Sequence, residues 1–274
     1  DSDAILNLDS IEQLKIFQFN FKNRKVGIRC NLAGLVEGKY SHAGYFTGEN
    51  SRLGILKSEL QQIENKELIS GLHLYVGTDI FDIDYFVENY IHLTEIAKLF
   101  PDIEYLDLGG GFGLTSEKNE TFNFEKFRKK ITELMQYISK YYEKSIKLIL
   151  EPGRIITGNS AVFVCKVTDI KFRNNVQLIG VDASSVQFPR PLFYPDEVFH
   201  PVSIFDENFN KISENLINTT IFGCSTYSRD FLAKKTNLPE AKIGNYIIFA
   251  NAGSYCSSAY TNFLGFKNAK ELIF

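Results

Sequence analysis

The chain contains no tryptophan, one methionine, seven prolines and four cysteines in 274 residues. The missing tryptophan accompanies an abundance of Phe, Tyr, Asn, Lys and Ile; this is a bias of base composition and excludes nothing. The cysteines are more informative. Cys30, Cys165, Cys224 and Cys256 are scattered without C-x-x-C spacing, which argues against a zinc site and a disulfide framework and leaves reduced thiols. Positive charge is not in excess either: 30 Lys and Arg stand against 33 Asp and Glu, a net charge of −3. Without a basic footprint, nucleic acid is not an expected partner. There is no apolar run long enough to span a bilayer and no amino-terminal signal pattern, so neither a membrane nor secretion is expected, and a cytoplasmic location is. His42, His92 and His200 lack metal-ligand spacing, so no metal is expected. His73 lies along an apolar strand and reads as a core histidine. No fixed-period repeat, low-complexity tract or flexible linker interrupts the chain.

What is present is a large apolar fraction, 44% hydrophobic, enough for a sizeable core in one large domain or two modest ones. The first part repeats a single pattern, an apolar strand ending in polar or glycine residues and then a helix-compatible stretch. Strands are predicted over 5–8, 25–30, 71–76, 104–108 and 148–150, with helices over 58–69, 83–100 and 124–142 among the segments between them. Such alternation, with Val, Ile and Leu in the strands, implies a parallel sheet covered by helices. In that architecture chemistry collects at the carboxyl ends of strands. Asp9, Arg29, the turn from His73 to Thr78, the glycines at 109–111, and Glu151 with Arg154 all fall there. Their convergence favours a barrel mouth over an open sheet. Beyond about residue 160 the runs 161–172, 176–181, 219–222 and 246–250 are short and β-rich, which predicts a second, antiparallel domain. The expected division is 1–160 and 161–274.

Two segments carry the chemistry. Leu106-Asp107-Leu108-Gly109-Gly110-Gly111-Phe112-Gly113 ends a strand in three glycines, whose backbone amides can approach an anion closely. Leu150-Glu151-Pro152-Gly153-Arg154 follows one βα unit later and adds a carboxylate and a forked cationic donor. A carboxylate beside a phosphate needs another target, and a protonated ring nitrogen suits it; together these groups fit pyridoxal phosphate. Each piece also has a plainer reading. A glycine triplet punctuates many strand ends, and this one departs from the dinucleotide pattern at Leu114. The Glu-Pro-Gly-Arg segment could be a turn closed by a surface ion pair. A free cysteine such as Cys224 is most often a small buried apolar group.

Taken in order, the motifs resemble the fold-type III pyridoxal phosphate decarboxylases, the group of the ornithine, diaminopimelate and arginine decarboxylases. They run from Leu8-Asp9-Ser10 through Val26-Gly27-Ile28-Arg29-Cys30-Asn31, Ser51-Arg52-Leu53-Gly54-Ile55 and Gly71-Leu72-His73-Leu74-Tyr75-Val76-Gly77-Thr78. The glycine triplet and Glu-Pro-Gly-Arg come next, then Arg190-Pro191-Leu192-Phe193-Tyr194, Cys224 with Asp230, and Asn251-Ala252-Gly253-Ser254-Tyr255. The resemblance implies a (β/α)8 barrel, of which residues 1–160 are strands 4 to 8, followed by a C-terminal antiparallel β domain. It also implies a homodimer with shared active sites. It assigns Gly109, Gly110, Gly111, Arg154, Thr78 and Tyr255 to the cofactor phosphate, Tyr75 to stacking on the ring and Glu151 to the ring nitrogen. Cys224, from the partner subunit, is assigned as the proton donor. Arg190, Tyr194 and Asp230 are assigned to the substrate.

Three departures qualify the resemblance. The Tyr-x-x-Lys-Ala-Asn motif, whose lysine carries the cofactor in that family, does not occur in these residues, and neither Lys25 nor Lys39 has a context that would replace it. The expectation is therefore a fragment of a longer polypeptide, or one piece of a split or processed enzyme. Tyr75 stands where a histidine is usual, which keeps an aromatic platform. Ser225 follows Cys224 where the diaminopimelate branch carries a glutamate, which argues against that substrate. The resemblance implies decarboxylation of an L-amino acid, free or carrier-tethered, in a specialised biosynthetic pathway. An amino acid racemase and a non-catalytic homologue serving as a regulatory or structural partner are the alternatives.

Overall fold

A computed structural model of the chain describes residues 4–36, 46–118, 120–194 and 198–273; Lys39 and His42 lie outside the described residues. The chain folds as two compact units, residues 1–115 with 119–153 and residues 116–118 with 154–274. Among the described residues no helix is long and apolar enough to cross a membrane.

The first unit runs β1 (Asn7–Leu8), α1 (Ile11–Asn20), β2 (Val26–Asn31), β3 (Ile55–Leu56), α2 (Lys57–Leu60), β4 (Ile69–His73), α3 (Ile83–Ala97), β5 (Tyr105–Asp107), α4 (Phe124–Tyr141) and β6 (Lys147–Ile149). The strands pair in parallel in the order β1-β2-β4-β5-β6, with the short β3 beside the end of β2. Ile28, Leu72 and Leu106 lie side by side in register and are fully buried, which accounts for the near-continuous apolar runs of these strands. The Tyr105 side chain fills the space beside Gly27 and Gly71: a Cβ on Gly27 would stand 1.9 Å from its hydroxyl, and one on Gly71 2.0 Å from its ring. Its hydroxyl donates to Asn7 Oδ1 at 2.7 Å.

Helix starts follow local capping chemistry. Ser10 accepts from the Gln13 amide while Gln13 Oε1 accepts from the Asp9 amide, a reciprocal cap that fixes the turn after β1. Asp82 caps α3 and Asn123 caps α4. The helices cover the sheet through an aromatic cluster of Phe86, Tyr90, Phe112, Phe122 and Phe127, with centroids 5.1 to 6.4 Å apart. The helix expected over 58–69 is two short pieces, α2 and a 3-10 turn at Lys66–Leu68. The apolar spacing fails between Ile63 and Leu68, and β4 already begins at Ile69. The apolar pattern also does not mark α1, where only Leu14 is buried while Ile16 and Phe19 are exposed.

The second unit begins with α5 (Arg154–Thr157) and continues β7 (Phe163–Arg173), β8 (Val176–Val181), α6 (Arg190–Phe193), β9 (Val202–Phe205), β10 (Lys211–Ile212), β11 (Ile217–Phe222), β12 (Phe231–Leu238) and β13 (Tyr246–Phe249). Its seven strands form one sheet in the order β10-β9-β13-β7-β8-β11-β12, antiparallel except that β8 and β11 run parallel. Val167, Ile179, Ile221, Ile247 and Phe249 lie in its core. The unit starts before the change of texture at residue 160 because residues 157–161 pack on the loop after β13. Ala252 N donates to Ala161 O, Gly253 N to Gly158 O, and the Thr157 and Ser254 hydroxyls are 2.6 Å apart.

Candidate active site

In the first unit, register aligns ionisable residues near the ends of three neighbouring strands: Arg29 of β2 pairs with His73 of β4, and His73 with Asp107 of β5. Asp107 pairs in turn with Ile149 of β6, two residues before Glu151. Asp9 follows β1 and stands 3.8 Å from Arg29 Nε. The strand ends thus carry one continuous row of ionisable side chains. Burial lowers the pKa of Arg29, against the attraction of Asp9 and Glu151.

The glycine triplet closes this row. A Cβ on Gly109 would stand 2.5 Å from Leu74 O, on Gly110 2.2 Å from Glu151 O, and on Gly111 2.0 Å from Gly77 O. The glycines are therefore required, in the first place, by the close approach of the two flanking loops. Glu151 N donates to Gly109 O at 2.8 Å and Ile80 N to Gly111 O at 2.9 Å, which lock the loop between its neighbours. The Gly109 amide donates to Asp107 Oδ1 at 3.1 Å. Among the described residues the amides of Gly110, Gly111 and Phe112 have no acceptor. Three successive free amides at the carboxyl end of a strand form a ready anion cradle.

Glu151, about half exposed, has its Oε2 3.4 Å from His73 Nε2. One ligand atom from each of His73, Asp107 and Glu151 lies within 4.8 Å of the others, close enough to share a single cationic group. Burial raises the pKa of Asp107, opposed by the Gly109 amide and His73, and Asn7 donates to its other oxygen at 3.2 Å. Burial lowers the pKa of His73, with Asp107 opposing. Tyr75, partly buried, meets Phe46 edge-on at 4.9 Å. Gly109, Gly110 and Gly111 thus lie against Tyr75, Glu151 and the backbone of Gly77 and Thr78 respectively. Sequence reasoning missed Asn7 and Asp107 as supports of the site, and took His73 for a core residue.

The remaining expected residues lie in the second unit. Arg154, buried, has its guanidinium 3.5 Å from Asn251 O and 3.4 Å from Phe199 O. Arg190 is also buried, with its guanidinium 5.8 Å from the Tyr194 ring. Both guanidinium groups bear on His200 and Cys256, so these four residues share one neighbourhood. Tyr194 lines a cavity of about 680 Å³ with Leu192, Tyr227 and Arg229. Tyr255 is exposed at a positive φ of 57°. Cys224 is exposed after β11, its amide donating to Ala183 O at 2.9 Å. Asp230, expected among the substrate contacts, is buried and accepts from Ser184 Oγ, the Ser185 amide, the Ser225 amide and Ser225 Oγ. Its carboxylate is committed to holding the Cys224 turn. Burial opposes its ionisation, yet these bonds together keep its pKa below the usual carboxylate value.

A parallel βα sheet with an amide cradle and a carboxylate at its strand ends, followed by a β domain, defines a class of cofactor-binding barrel proteins. Residues 3–158 match the family described as pyridoxal-dependent decarboxylase, pyridoxal binding domain, and the chain belongs to that family. It is 27% identical over 272 residues to a diaminopimelate decarboxylase of Methanothermobacter thermautotrophicus, covering 94% of this chain and 61% of that protein. A diaminopimelate decarboxylase of Buchnera aphidicola is 26% identical, with 98% and 66% covered. The chain thus spans about two thirds or less of these relatives' length. The fold is that of a diaminopimelate decarboxylase crystal structure, with a TM-score of 0.80 at 20% identity over 94% of this chain and 64% of that one. The arginine decarboxylase of Paramecium bursaria Chlorella virus, solved bound to agmatine, superposes with a TM-score of 0.71 at 16% identity, covering 96% and 69%.

The residues present fit the family's cofactor. The free amides of Gly110, Gly111 and Phe112 suit its phosphate, and Glu151 supplies a partly exposed carboxylate for a protonated ring nitrogen.

Proposed function

We propose that the chain is part of a pyridoxal phosphate-dependent decarboxylase acting on an L-amino acid, assembled as a homodimer with shared active sites. The observation that carries this reading is the placement of Glu151 beside the amide cradle, its backbone bonded to Gly109. When bound, the cofactor supplies an electron sink for the charge left at Cα as carbon dioxide departs. The protein's own part is to hold that sink. The amides of Gly110 and Gly111, with Thr78, Arg154 and Tyr255, take the phosphate, and Tyr75 offers a ring face. Glu151, facing the ring nitrogen, favours a proton there.

Arg190 and Tyr194 receive the substrate carboxylate, and Cys224 of the partner subunit returns the proton. Its exposure supports that role, and burial and Asp230 raise its pKa, which keeps it a protonated donor at neutral pH. Ser225, bonded to Asp230, leaves no carboxylate after Cys224 for a distal amine, which weighs against diaminopimelate even though the relatives carry that name.

The test is to add pyridoxal 5′-phosphate to the purified protein, follow its absorbance, and assay release of labelled carbon dioxide from carboxyl-labelled amino acids. Decarboxylation releases the label. Loss of the α-proton without release of label marks a racemase, and no spectral change on adding the cofactor overturns the reading.

A further inference from the structure

His73 has a position that its apolar strand does not explain. It is buried at the end of β4, where Arg29 of β2 and Asp107 of β5 are its register partners, and Asp9 after β1 also bears on it. Its Nε2 faces Glu151 Oε2 at 3.4 Å. Among the described residues no other side chain comes within ion-pair distance of Glu151. Asp107 stands close enough to Glu151 for the two carboxylates to repel each other, and both of its oxygens are occupied, by the Gly109 amide and by Asn7. A donor within reach of two carboxylates so near each other relieves their mutual repulsion. Burial disfavours a second proton on the imidazole, so the ring carries one at neutral pH. With Nε2 facing the Glu151 carboxylate, that proton belongs on Nε2.

We propose that His73 is a positioning residue for Glu151, donating Nε2–H to one carboxylate oxygen so that the other is held toward the ring nitrogen of pyridoxal phosphate. The inference rests on the cofactor reading above. Its physical content is a division of labour along the strand ends. Asp107 holds the first glycine of the phosphate loop, His73 stands beside both Asp107 and Glu151, and Glu151 is left for the ring.

The experiment compares the affinity of the full chain for pyridoxal 5′-phosphate with that for its 1-deaza analogue, in which carbon replaces the ring nitrogen. The ratio isolates the contact between Glu151 and the nitrogen from the phosphate contacts. Wild type is expected to favour the natural cofactor, and Glu151→Ala to abolish that preference. His73→Leu is expected to lower the preference about tenfold or more, the worth of a hydrogen bond to a charged group, with affinity for the analogue unchanged. His73→Gln, whose side-chain amide places N–H near the same point, should restore it. An unchanged preference in His73→Leu, or equal loss for both ligands, overturns the role of His73 and leaves the cofactor reading standing. A wild type without preference, or a Glu151→Ala variant that keeps it, overturns both.

Discussion

Gly110 lies so close to the carbonyl oxygen of Glu151 that a Cβ on it would stand 2.2 Å away. The two motifs that identify the site are thus bound together by a contact only glycine allows. Gly110→Ala must push one backbone segment from the other, and neither can yield as the tip of a flexible side chain could. We expect a loss of about 2 to 4 kcal/mol in urea unfolding, with weakened cofactor binding. Gly244→Ala is the control. Gly244 has a positive φ of 94° but open space around its Cβ direction, so only the conformational cost of about 1 kcal/mol should appear. Equal losses in the two variants would mean that the Gly110 contact relaxes freely.

Strands β2, β4 and β5 of the first unit are legible in sequence because they are buried on both faces and read as apolar runs. The roles of their last residues are not. A histidine in such a run has the same local signature whether it fills a core or faces a carboxylate. Only the long-range pairing of β4 with β5, and of β5 with β6, puts His73 beside Asp107 and Glu151. The glycine triplet was legible as the end of a strand, but its tight fit against Leu74, Gly77 and Glu151 was not, since sequence does not reveal which carbonyls approach it. In the second unit β12 is obscured by the Lys234-Lys235 pair and by the positive φ of Lys235, 52°, near an irregularity in its register with β11. Burial of Asp230 is equally invisible: an acidic residue shortly after a reactive cysteine looks like a ligand contact until its serine donors are brought to it.

Asp230 anchors the Cys224 turn to the segment after β8 through Ser184 and Ser185. Gly223 packs against its carboxylate, where a Cβ would stand 2.3 Å from Oδ2. Asp230→Ala strands buried donors on both segments and should destabilise the second unit by about 3 kcal/mol. Its depressed pKa also has a direction. The stability it contributes is present above the unfolded value of 3.8 and is lost as pH falls through the lower folded value. Unfolding of the variant should therefore be less sensitive to pH below about 4 than that of wild type; equal sensitivity would remove Asp230 from the account.

Cys30, Cys165 and Cys256 are buried, and burial raises all three thiol pKa values. Cys224 alone is exposed. A colorimetric disulfide reagent should therefore titrate one thiol in the native protein and four after denaturation. The native reaction should be slow at pH 7, because the Cys224 pKa is raised from 9.0, by burial first and then by Asp230. Asp230→Ala should speed that reaction, and Cys224→Ser should abolish it. A second fast-reacting thiol in wild type would contradict the packing of the buried cysteines.

His200 makes the second unit sensitive to mild acid. Its Nδ1 lies 2.9 Å from Ala250 O, so Nδ1 carries the proton, and Nε2 is buried without a hydrogen-bond partner among the described residues. Adding a second proton would place charge in a buried site near the guanidinium groups of Arg154 and Arg190. Burial first, and those two charges with it, push the pKa down to about 3, while the bond to Ala250 opposes the shift. The unfolded chain protonates this ring near 6.5 and the folded chain does not, so stability is fully present above 6.5 and is lost progressively as pH falls toward 3. Between pH 7 and pH 5 this group alone should cost about 2 kcal/mol. His200→Asn keeps a donor for the Ala250 carbonyl but does not titrate, so its unfolding free energy should fall by about 2 kcal/mol less than wild type over the same interval. Urea unfolding of both proteins at the two pH values decides the matter, and parallel losses would show that His200 is not held neutral in the fold.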